Sequence, residues 1–224
     1  MEKVLLSWSG GKDSAMTLYE LRRAGGYEIV ALLTTITEGY DRISMHGVRR
    51  VLLEQQAASL GLPLHEAIIP PGCTNAQYEA TMRAVLTHYQ AQGVTACAFG
   101  DLFLQDIRAY RERNLAAIGM KALFPVWGRD TTEFIHSFIA LDFKAVVTCV
   151  DPKALPPTFA GQVIDERFLR DLPPGVDPCG ENGEFHSFVY AGPIFKEEVK
   201  VTVGQVVLRD GFYFCDLVPE EETQ

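Results

Sequence analysis

The sequence has no long apolar run, no leader-like segment and no paired cysteines. No uncharged apolar stretch approaches the ~18 residues that a membrane-spanning helix needs, and the apolar residues between Lys3 and Ser9 are too few for a signal peptide. The five cysteines are scattered without any C-x-x-C pair, which argues against a zinc site or a redox couple. We therefore expect a cytoplasmic protein with free thiols and no membrane partner.

Positive charge is also scarce. The net charge of −9 repels polyphosphate chains, so a nucleic-acid partner would need a local basic patch, and we expect no such partner. We interpret the basic cluster of Arg108, Arg111 and Arg113 as a solvated helix face. Apolar residues, by contrast, make up 47% of the 224 residues, which is enough to bury the core of one large domain or two modest ones.

Apolar, β-branched runs alternate with amphipathic segments up to about residue 150. The predicted strands are residues 4–8, 29–35, 64–69, 94–99, 123–127 and 145–150. Between them, apolar residues at helical spacing predict helices around residues 78–89 and 135–139. Strands that alternate with helices indicate right-handed crossovers and a buried parallel sheet.

The pattern changes after Asp151, where segments rich in proline and glycine lead into short predicted strands. Asp210-Gly211, between two apolar runs, predicts a two-residue hairpin, because type I′ turns need positive φ at both central residues. We place the domain boundary between an N-terminal domain of residues 1–127 and a C-terminal domain of residues 128–224.

The first predicted strand leads into the motif Ser9-Gly10-Gly11-Lys12-Asp13-Ser14. It is not a Walker A loop, because Asp13 stands where that loop needs a hydroxyl and Leu6 stands at its first glycine. It also lacks the G-x-G-x-x-G spacing of a dinucleotide fingerprint. The glycines allow a tight turn that brings N–H groups to an anion at a helix N-terminus, while Lys12 adds charge and the serines add hydroxyls. These features predict a phosphate-binding loop; the alternative is a glycine turn in which Asp13 or Ser14 caps the helix.

This motif resembles the PP-loop of the N-type ATP pyrophosphatases, in the adenine nucleotide alpha hydrolase (HUP) superfamily. Further segments extend the similarity to the diphthine–ammonia ligase (diphthamide synthase) family, up to about Phe195: SMHGVRRVLLEQQAASLGLPL, FGDLFLQDIRAYRERN, LFPVW, FKAVVTCVD and GENGEFHSFVYAGPIF. The resemblance implies an α/β fold. It would consist of a Rossmann-like HUP parallel sheet flanked by helices, with a second, smaller α+β C-terminal domain that closes over the nucleotide.

The resemblance also implies the chemistry. In that family AMP is transferred from ATP to a carboxylate with release of pyrophosphate, and ammonia then displaces AMP to give an amide. The implied cofactors are ATP and Mg²⁺, the partners are a small-molecule or protein carboxylate and ammonia, and Lys12 and Asp13 are implied as catalytic. All six residues of the motif are candidates for nucleotide binding. Asp13 is the candidate for holding Mg²⁺, since this ion takes one or two carboxylates together with phosphate oxygens.

Other residues are candidates for nucleotide binding. Thr34 and Thr35 lie where superfamily members hold adenine and ribose, although a β-branched core strand explains them nearly as well. Gly100 and Asp101 follow the fourth predicted strand, at the edge where ligands bind in open parallel sheets. His46 also matches the family and is a candidate for lining the nucleotide pocket.

A second constellation lies between residues 177 and 188. Its candidates for substrate binding are Asp177, Glu181, Asn182, Glu184 and His186. Crowded carboxylates cost electrostatic energy unless a cation or a substrate compensates them. Strand alternation places Glu184 and His186 on one face, where they could orient ammonia, accept its proton or bind a cationic group, so both are candidate catalytic residues. The alternative is a solvated acidic turn with a packed histidine.

The chain departs from the family pattern at one position. The diphthine ligases have Gly-Glu-Tyr/Phe-Glu-Thr, whereas this chain has Gly-Glu-Phe-His-Ser at residues 183–187, so that His186 replaces a carboxylate. This loss would weaken recognition of the quaternary ammonium of diphthine. The histidine resembles a bacterial branch with a suggested small-molecule role, such as corrinoid (cobalamin) salvage, and the acceptor stays open. Cys179 in this segment is expected to be an inert thiol.

Two other classes of function are alternatives to an amide ligase. A tRNA-modifying PP-loop enzyme would be expected to carry a basic face and often paired cysteines, which this sequence lacks. A non-catalytic protein that binds adenine nucleotides would keep the phosphate loop but leave ATP intact. Free ammonia is the expected nitrogen source for a ligase, and a homo-oligomer is compatible with the sequence.

Overall fold

A computed structural model describes residues 1–39, 42 and 47–220. The strands in this part are β1 Glu2–Ser7, β2 Tyr27–Thr37, β3 Leu64–Ile69, β4 Ala96–Ala98, β5 Lys121–Leu123, β6 Lys144–Val150, β7 Phe185–Ala191, β8 Val201–Arg209 and β9 Phe212–Pro219. The helices are α1 Lys12–Ala24, α2 Arg50–Leu60, α3 Asn75–Ala91, α4 Gln105–Ala116, α5 Thr131–Ala140 and α6 Glu166–Asp171, with a short 3₁₀ helix at Pro157–Phe159. None of the helices described has the length and hydrophobicity needed to cross a bilayer.

Strands β1 to β5 form a parallel sheet in the order β3-β2-β1-β4-β5, which confirms the predicted parallel α/β fold. The strand order reverses between β1 and β4, so the loops that follow these two strands leave the sheet on either side of a crevice. The predicted strand at residues 123–127 is wrong, because β5 ends at Leu123 and residues 125–128 form a turn. Pro125 lacks the N–H that a ladder needs.

Helices cover both faces of this sheet, as expected for buried parallel strands. Leu6 in β1 belongs to a core shared with α1 and α2. Its neighbour Leu5 belongs to a second core, shared with α3 and α4, because successive side chains of a strand point to opposite faces of the sheet. The predicted apolar face of α3 is confirmed, since Met82, Val85 and Leu86 pack into the second of these cores.

A separate antiparallel sheet in the order β7-β6-β9-β8 forms the C-terminal part. Its inner residues, such as Phe188 and Leu217, share one continuous core with α1 and α2. The predicted hairpin is confirmed, since β8 and β9 are joined by Asp210 at φ 52° and Gly211 at φ 85°. The division at residues 127 and 128 remains a prediction, and it falls between the last strand of the first sheet and the first strand of the second.

Candidate functional site

The predicted phosphate loop connects β1 to α1 at the centre of the parallel sheet. Gly10 has φ 78°, a left-handed conformation that glycine adopts without strain, and Gly11 is the N-cap residue directly before α1. No side chain caps the helix, so the alternative in which Asp13 or Ser14 caps it is wrong. The start of a 13-residue helix therefore lies directly after a glycine turn, which is the setting that favours anions.

Two serines hold the loop in shape. The Gly11 N–H donates to Ser9 Oγ at 3.3 Å, and Ser14 Oγ donates to the Gly11 carbonyl at 2.9 Å. The two hydroxyl oxygens lie 3.3 Å apart. Both hydroxyls therefore lie within the turn itself, next to the backbone groups that a phosphate would contact.

Lys12 carries the positive charge of the site. Its Nζ lies 2.9 Å from Asp13 Oδ2 and 3.6 Å from Glu181 Oε1, and the residue is only 4% exposed. Burial alone would lower the pKa of Lys12, but the neighbouring carboxylates, chiefly Asp13, outweigh it and raise the pKa above its ordinary value. Asp13 Oδ1 is also buried, and it has no hydrogen-bond partner among the described residues. A fixed cation thus lies beside a carboxyl group with one buried oxygen that is not hydrogen-bonded within the described part of the chain.

The loop is braced by the C-terminal sheet. The N–H of Val189 in β7 donates to the Gly10 carbonyl at 2.9 Å, and the Lys12 N–H donates to Ser187 Oγ at 3.2 Å. Gln56 in α2 donates to the same Gly10 carbonyl at 3.0 Å. Sequence reasoning missed Ser187 and Gln56. A signal for Gln56 was present in the sequence, because this polar residue lies on the apolar face of α2, among the buried residues of that helix.

The loop opens into a cleft of about 750 Å³ between the two sheets. Among the predicted site residues, its wall includes Ser9, Gly11, Lys12, Asp13, Ser14, Thr34, Gly100, Asp101, Glu181, Asn182 and His186. Gly10, Asp177 and Glu184 are not among the described residues that line it. His46 lies outside the described residues. The fold thus brings together segments from the start, the middle and the end of the chain.

The ends of β2 and β4 form the wall next to the loop. Thr34 is buried at 3% exposure and Thr35 lies beside it in the wall. Gly100 is required by close packing, because a Cβ at this position would lie 2.8 Å from the carbonyl carbon of Asp13. The backbone after β4 therefore packs directly against the start of α1.

Asp101 forms a bidentate pair with Arg111 of α4, at 2.6 Å and 3.2 Å. The guanidinium of Arg111 also lies 4.3 Å from the centre of the Phe99 ring and lines the cleft. Our interpretation of Arg111 as part of a solvated helix face is therefore wrong. Asp101 follows a strand and Arg111 lies in a helix, ten residues further along the chain. The sequence shows the cluster of arginines but not that one of them pairs with Asp101.

The Asp177 carboxylate stabilises the loop before β7 by accepting hydrogen bonds. Its Oδ1 accepts hydrogen bonds from the N–H groups of Cys179 at 2.8 Å and Glu181 at 3.3 Å, and its Oδ2 accepts from Thr131 Oγ1 at 2.8 Å. Burial raises the pKa of the Cys179 thiol, which donates to the Thr131 carbonyl at 3.1 Å. Cys179 therefore has the environment of an unreactive thiol.

The Glu184 carboxylate also accepts hydrogen bonds from its own loop. It accepts from the Asp177 N–H at 3.0 Å and from the backbone and side-chain N–H groups of Asn182 at 2.8 Å and 3.0 Å. Burial alone would raise the pKa of Glu184, but these hydrogen bonds outweigh it and lower the pKa. Because β7 begins one residue later, strand alternation does not place Glu184 beside His186. We assign Glu184 a structural role in the loop.

His186 and Glu181 do line the cleft, and Glu181 Oε1 lies 3.6 Å from Lys12 Nζ. His186 belongs to β7, where it is paired with Cys149 of β6, so its backbone position is fixed by the C-terminal sheet. Burial and the nearby Asp13 raise the pKa of Glu181 to about 8, although Lys12 opposes this shift. The cleft wall from the C-terminal part thus carries one carboxyl group and one imidazole.

Within the described residues, no group of three or more His, Cys, Asp or Glu side chains is arranged to hold a metal ion by itself. Asp13 nevertheless suits Mg²⁺, because its buried Oδ1 lacks a partner and this ion completes its shell with phosphate oxygens and water.

Known proteins with similar sequences support the motif-based resemblance. The human protein named diphthine–ammonia ligase is 24% identical over 230 residues, which cover 92% of this chain and 85% of that protein. The bovine protein of the same name is 25% identical with the same coverage. The Schizosaccharomyces pombe protein of that name is 25% identical over 238 residues, covering 96% of this chain and 38% of that protein.

Family models match both parts of the chain. Residues 2–122 match the diphthamide synthase N-terminal domain, which contains the phosphate loop and the parallel sheet. Residues 130–217 match the diphthamide synthase C-terminal domain, which contains β7 and the acidic loop before it. The cleft described above is lined by residues from both matched segments. The protein therefore belongs to the diphthamide synthase family.

Proposed function

We propose that this protein is an ATP-dependent ligase that converts a carboxylate into an amide, with AMP and pyrophosphate as the other products. The single observation that carries the proposal is the buried Lys12 ammonium, held at the start of α1 in a cleft that both sheets line. The relatives named as diphthine–ammonia ligases support the reaction class.

In the first step, a carboxylate oxygen of the acceptor attacks the α-phosphorus of ATP and pyrophosphate leaves. Lys12 would stabilise the negative charge that develops on the leaving pyrophosphate, and the positive end of the α1 dipole would add to this stabilisation. A buried, pre-oriented ammonium acts more strongly here than it would in water, because little solvent competes with it. Thr34 and Thr35 are proposed to hold the nucleoside from the end of β2.

Mg²⁺ fits this site through Asp13. The ion would neutralise part of the phosphate charge, which is the contribution it makes to phosphoryl and nucleotidyl transfer in general. Asp13 would supply one carboxylate oxygen to it, and the close contact of Gly100 with the Asp13 backbone would keep that oxygen in place.

In the second step, ammonia attacks the acyl carbon, AMP leaves, and a proton is lost from the nitrogen. His186 is the proposed acceptor of that proton, because an imidazole titrates near neutral pH and this one lines the cleft. Glu181 and Asn182, on the same wall, are proposed to contact the acceptor. Asp177 and Glu184 would act indirectly, by holding the loop that presents these side chains.

The test is an incubation of the protein with ATP, MgCl₂, ammonium chloride and candidate carboxylates, with chromatography of the nucleotides. Diphthine-bearing protein and small-molecule carboxylates form separate arms, since the relatives' name makes diphthine the first acceptor to test. Formation of AMP and pyrophosphate that depends on both acceptor and ammonium supports the proposal. ATP that is bound but recovered intact in every arm would overturn it and indicate a nucleotide-binding protein without catalysis.

The role of His186 has its own test. The variant His186→Glu restores the carboxylate that the diphthine ligases have at this position. We expect it to shift acceptor preference toward cationic substrates, because a carboxylate accepts hydrogen bonds and carries negative charge. ATP binding should be preserved, because the phosphate loop is held by Ser187, Val189 and Gln56. Loss of ATP binding in this variant would contradict the assignment.

A further inference from the structure

Gln56 is a fully buried polar residue of α2, and its side-chain amide uses both its oxygen and its nitrogen. Its Oε1 accepts a hydrogen bond from the Trp8 indole at 2.9 Å. Its Nε2 donates to the carbonyls of Gly10 at 3.0 Å and Val189 at 2.5 Å. One side chain therefore connects the end of β1, the phosphate loop and β7.

Only an uncharged amide of this length can make this set of bonds. A glutamate in its ionised form has no donor for the two carbonyls, and a lysine has no acceptor for the Trp8 indole. Buried polar groups that lose their partners are costly, so the three partners together select glutamine at this position. A role in packing alone would be served equally well by an apolar residue.

The bond to Gly10 fixes the direction of a peptide plane in the loop. Because the peptide group is planar and trans, the Gly10 carbonyl and the Gly11 N–H point in opposite directions. Gln56 and Val189 both donate to that carbonyl from outside the cleft, so the Gly11 N–H is directed to the other side of the plane, toward Ser9 Oγ. A Cβ on Gly10 would lie 2.7 Å from Gln56 Oε1, which shows how closely the amide packs under the turn.

We infer that Gln56 is a positioning residue that sets the Gly10–Gly11 peptide for phosphate binding and links it to the C-terminal strand β7. The inference rests on the proposed function, in that the loop binds the phosphates of ATP. Gln56 does not itself line the cleft among the described residues, and it acts through the carbonyl that it holds. Phosphate affinity should therefore depend on Gln56, whereas affinity for the nucleoside should not.

The test compares ATP with adenosine, which lacks phosphates. Gln56→Met keeps the volume and removes all three hydrogen bonds, while Gln56→Glu keeps the acceptor for Trp8 and replaces the donor. Gln55→Met is the matched control, because Gln55 lies on the same helix and does not line the cleft. Dissociation constants come from titration calorimetry with Mg²⁺ present, and thermal unfolding shows which variants are folded.

We expect both Gln56 variants to bind ATP at least about tenfold more weakly while adenosine affinity stays within about twofold, and Gln55→Met to change neither. If a folded Gln56 variant keeps its affinity for ATP, or loses affinity for ATP and adenosine equally, the inference is overturned. Failure of both Gln56 variants to fold would also overturn it, in favour of a purely structural role. If the unmodified protein binds adenosine as tightly as ATP, the proposed function itself fails.

Discussion

Replacing Lys12 by methionine removes the buried charge on which the proposed chemistry depends. The substitution keeps most of the side-chain volume, so the packing around the start of α1 is disturbed little. It leaves Asp13 and Glu181, whose oxygens lie 2.9 Å and 3.6 Å from the Lys12 ammonium, without their cation. The variant therefore affects both catalysis and folding, and these two effects differ in size.

The catalytic loss should be the larger effect. Removal of one pre-oriented group that stabilises developing negative charge lowers turnover by about 100-fold to 1,000-fold, or about 3–4 kcal/mol. Breaking a buried ion pair costs about 3–5 kcal/mol when the remaining charge is shielded from water. Here the side chains of Asp13 and Glu181 are 30% and 12% exposed, so solvent offsets part of this cost and leaves about 2 kcal/mol of lost stability.

The assay measures AMP formation at saturating ATP and the free energy of unfolding in urea. A double variant, Lys12→Met with Glu181→Gln, separates the two effects, because it removes one of the carboxylates that lost its cation. We expect it to recover part of the stability but none of the turnover, with Glu181→Gln alone as the reference for both measurements. Recovery of turnover in the double variant would refute the reasoning, since Lys12 would then act only by compensating carboxylate charge.

Three further predictions follow from contacts elsewhere in the fold. Gly100→Ala should weaken ATP binding in calorimetry and lower the free energy of unfolding by about 1–3 kcal/mol, because the new methyl group would lie 2.8 Å from the Asp13 carbonyl carbon; unchanged affinity would contradict this. Asp216→Asn should cost about 1 kcal/mol at pH 7, because pairing with Arg49 lowers the pKa of the carboxyl to about 2. This contribution is present above the unfolded pKa of 3.8 and is lost as the pH falls toward 2, so a difference in urea unfolding that stays constant from pH 7 to pH 3 would be evidence against it. Cys179→Ser should leave AMP formation unchanged, because burial raises the thiol pKa; loss of turnover would reveal a nucleophile.

Local signals were enough for much of the fold. The hairpin at Asp210-Gly211 could be predicted because two adjacent residues determine the turn, and both adopt positive φ. The phosphate loop could be located because its residues are consecutive, and the structure places the motif in the turn after β1 and the first residues of α1. The prediction of a strand at residues 123–127 was wrong because it rested on apolar composition alone. Pro125 has no N–H to donate to a neighbouring strand.

The rest of the site depends on contacts between distant residues. Gln56 reaches Gly10 across 46 residues and Val189 across 133, and no local pattern encodes these distances. Glu184 was expected to face the substrate because it is acidic and near a strand, but three N–H groups of its own loop occupy it. Sequence identifies residue types suited to the chemistry, whereas the fold decides which of them remain available for a ligand.

The bond between Val189 and Gly10 also has a consequence for synthesis of the chain on the ribosome. The strands and helices of the parallel sheet are all translated before β7, so this sheet can begin to fold first. The turn at Gly10 lacks its donor from Val189, and the Lys12 N–H lacks Ser187, until β7 has emerged and packed. A nascent chain without β7 would therefore carry the complete phosphate-loop sequence without its final geometry, and ATP capture would wait for the second sheet.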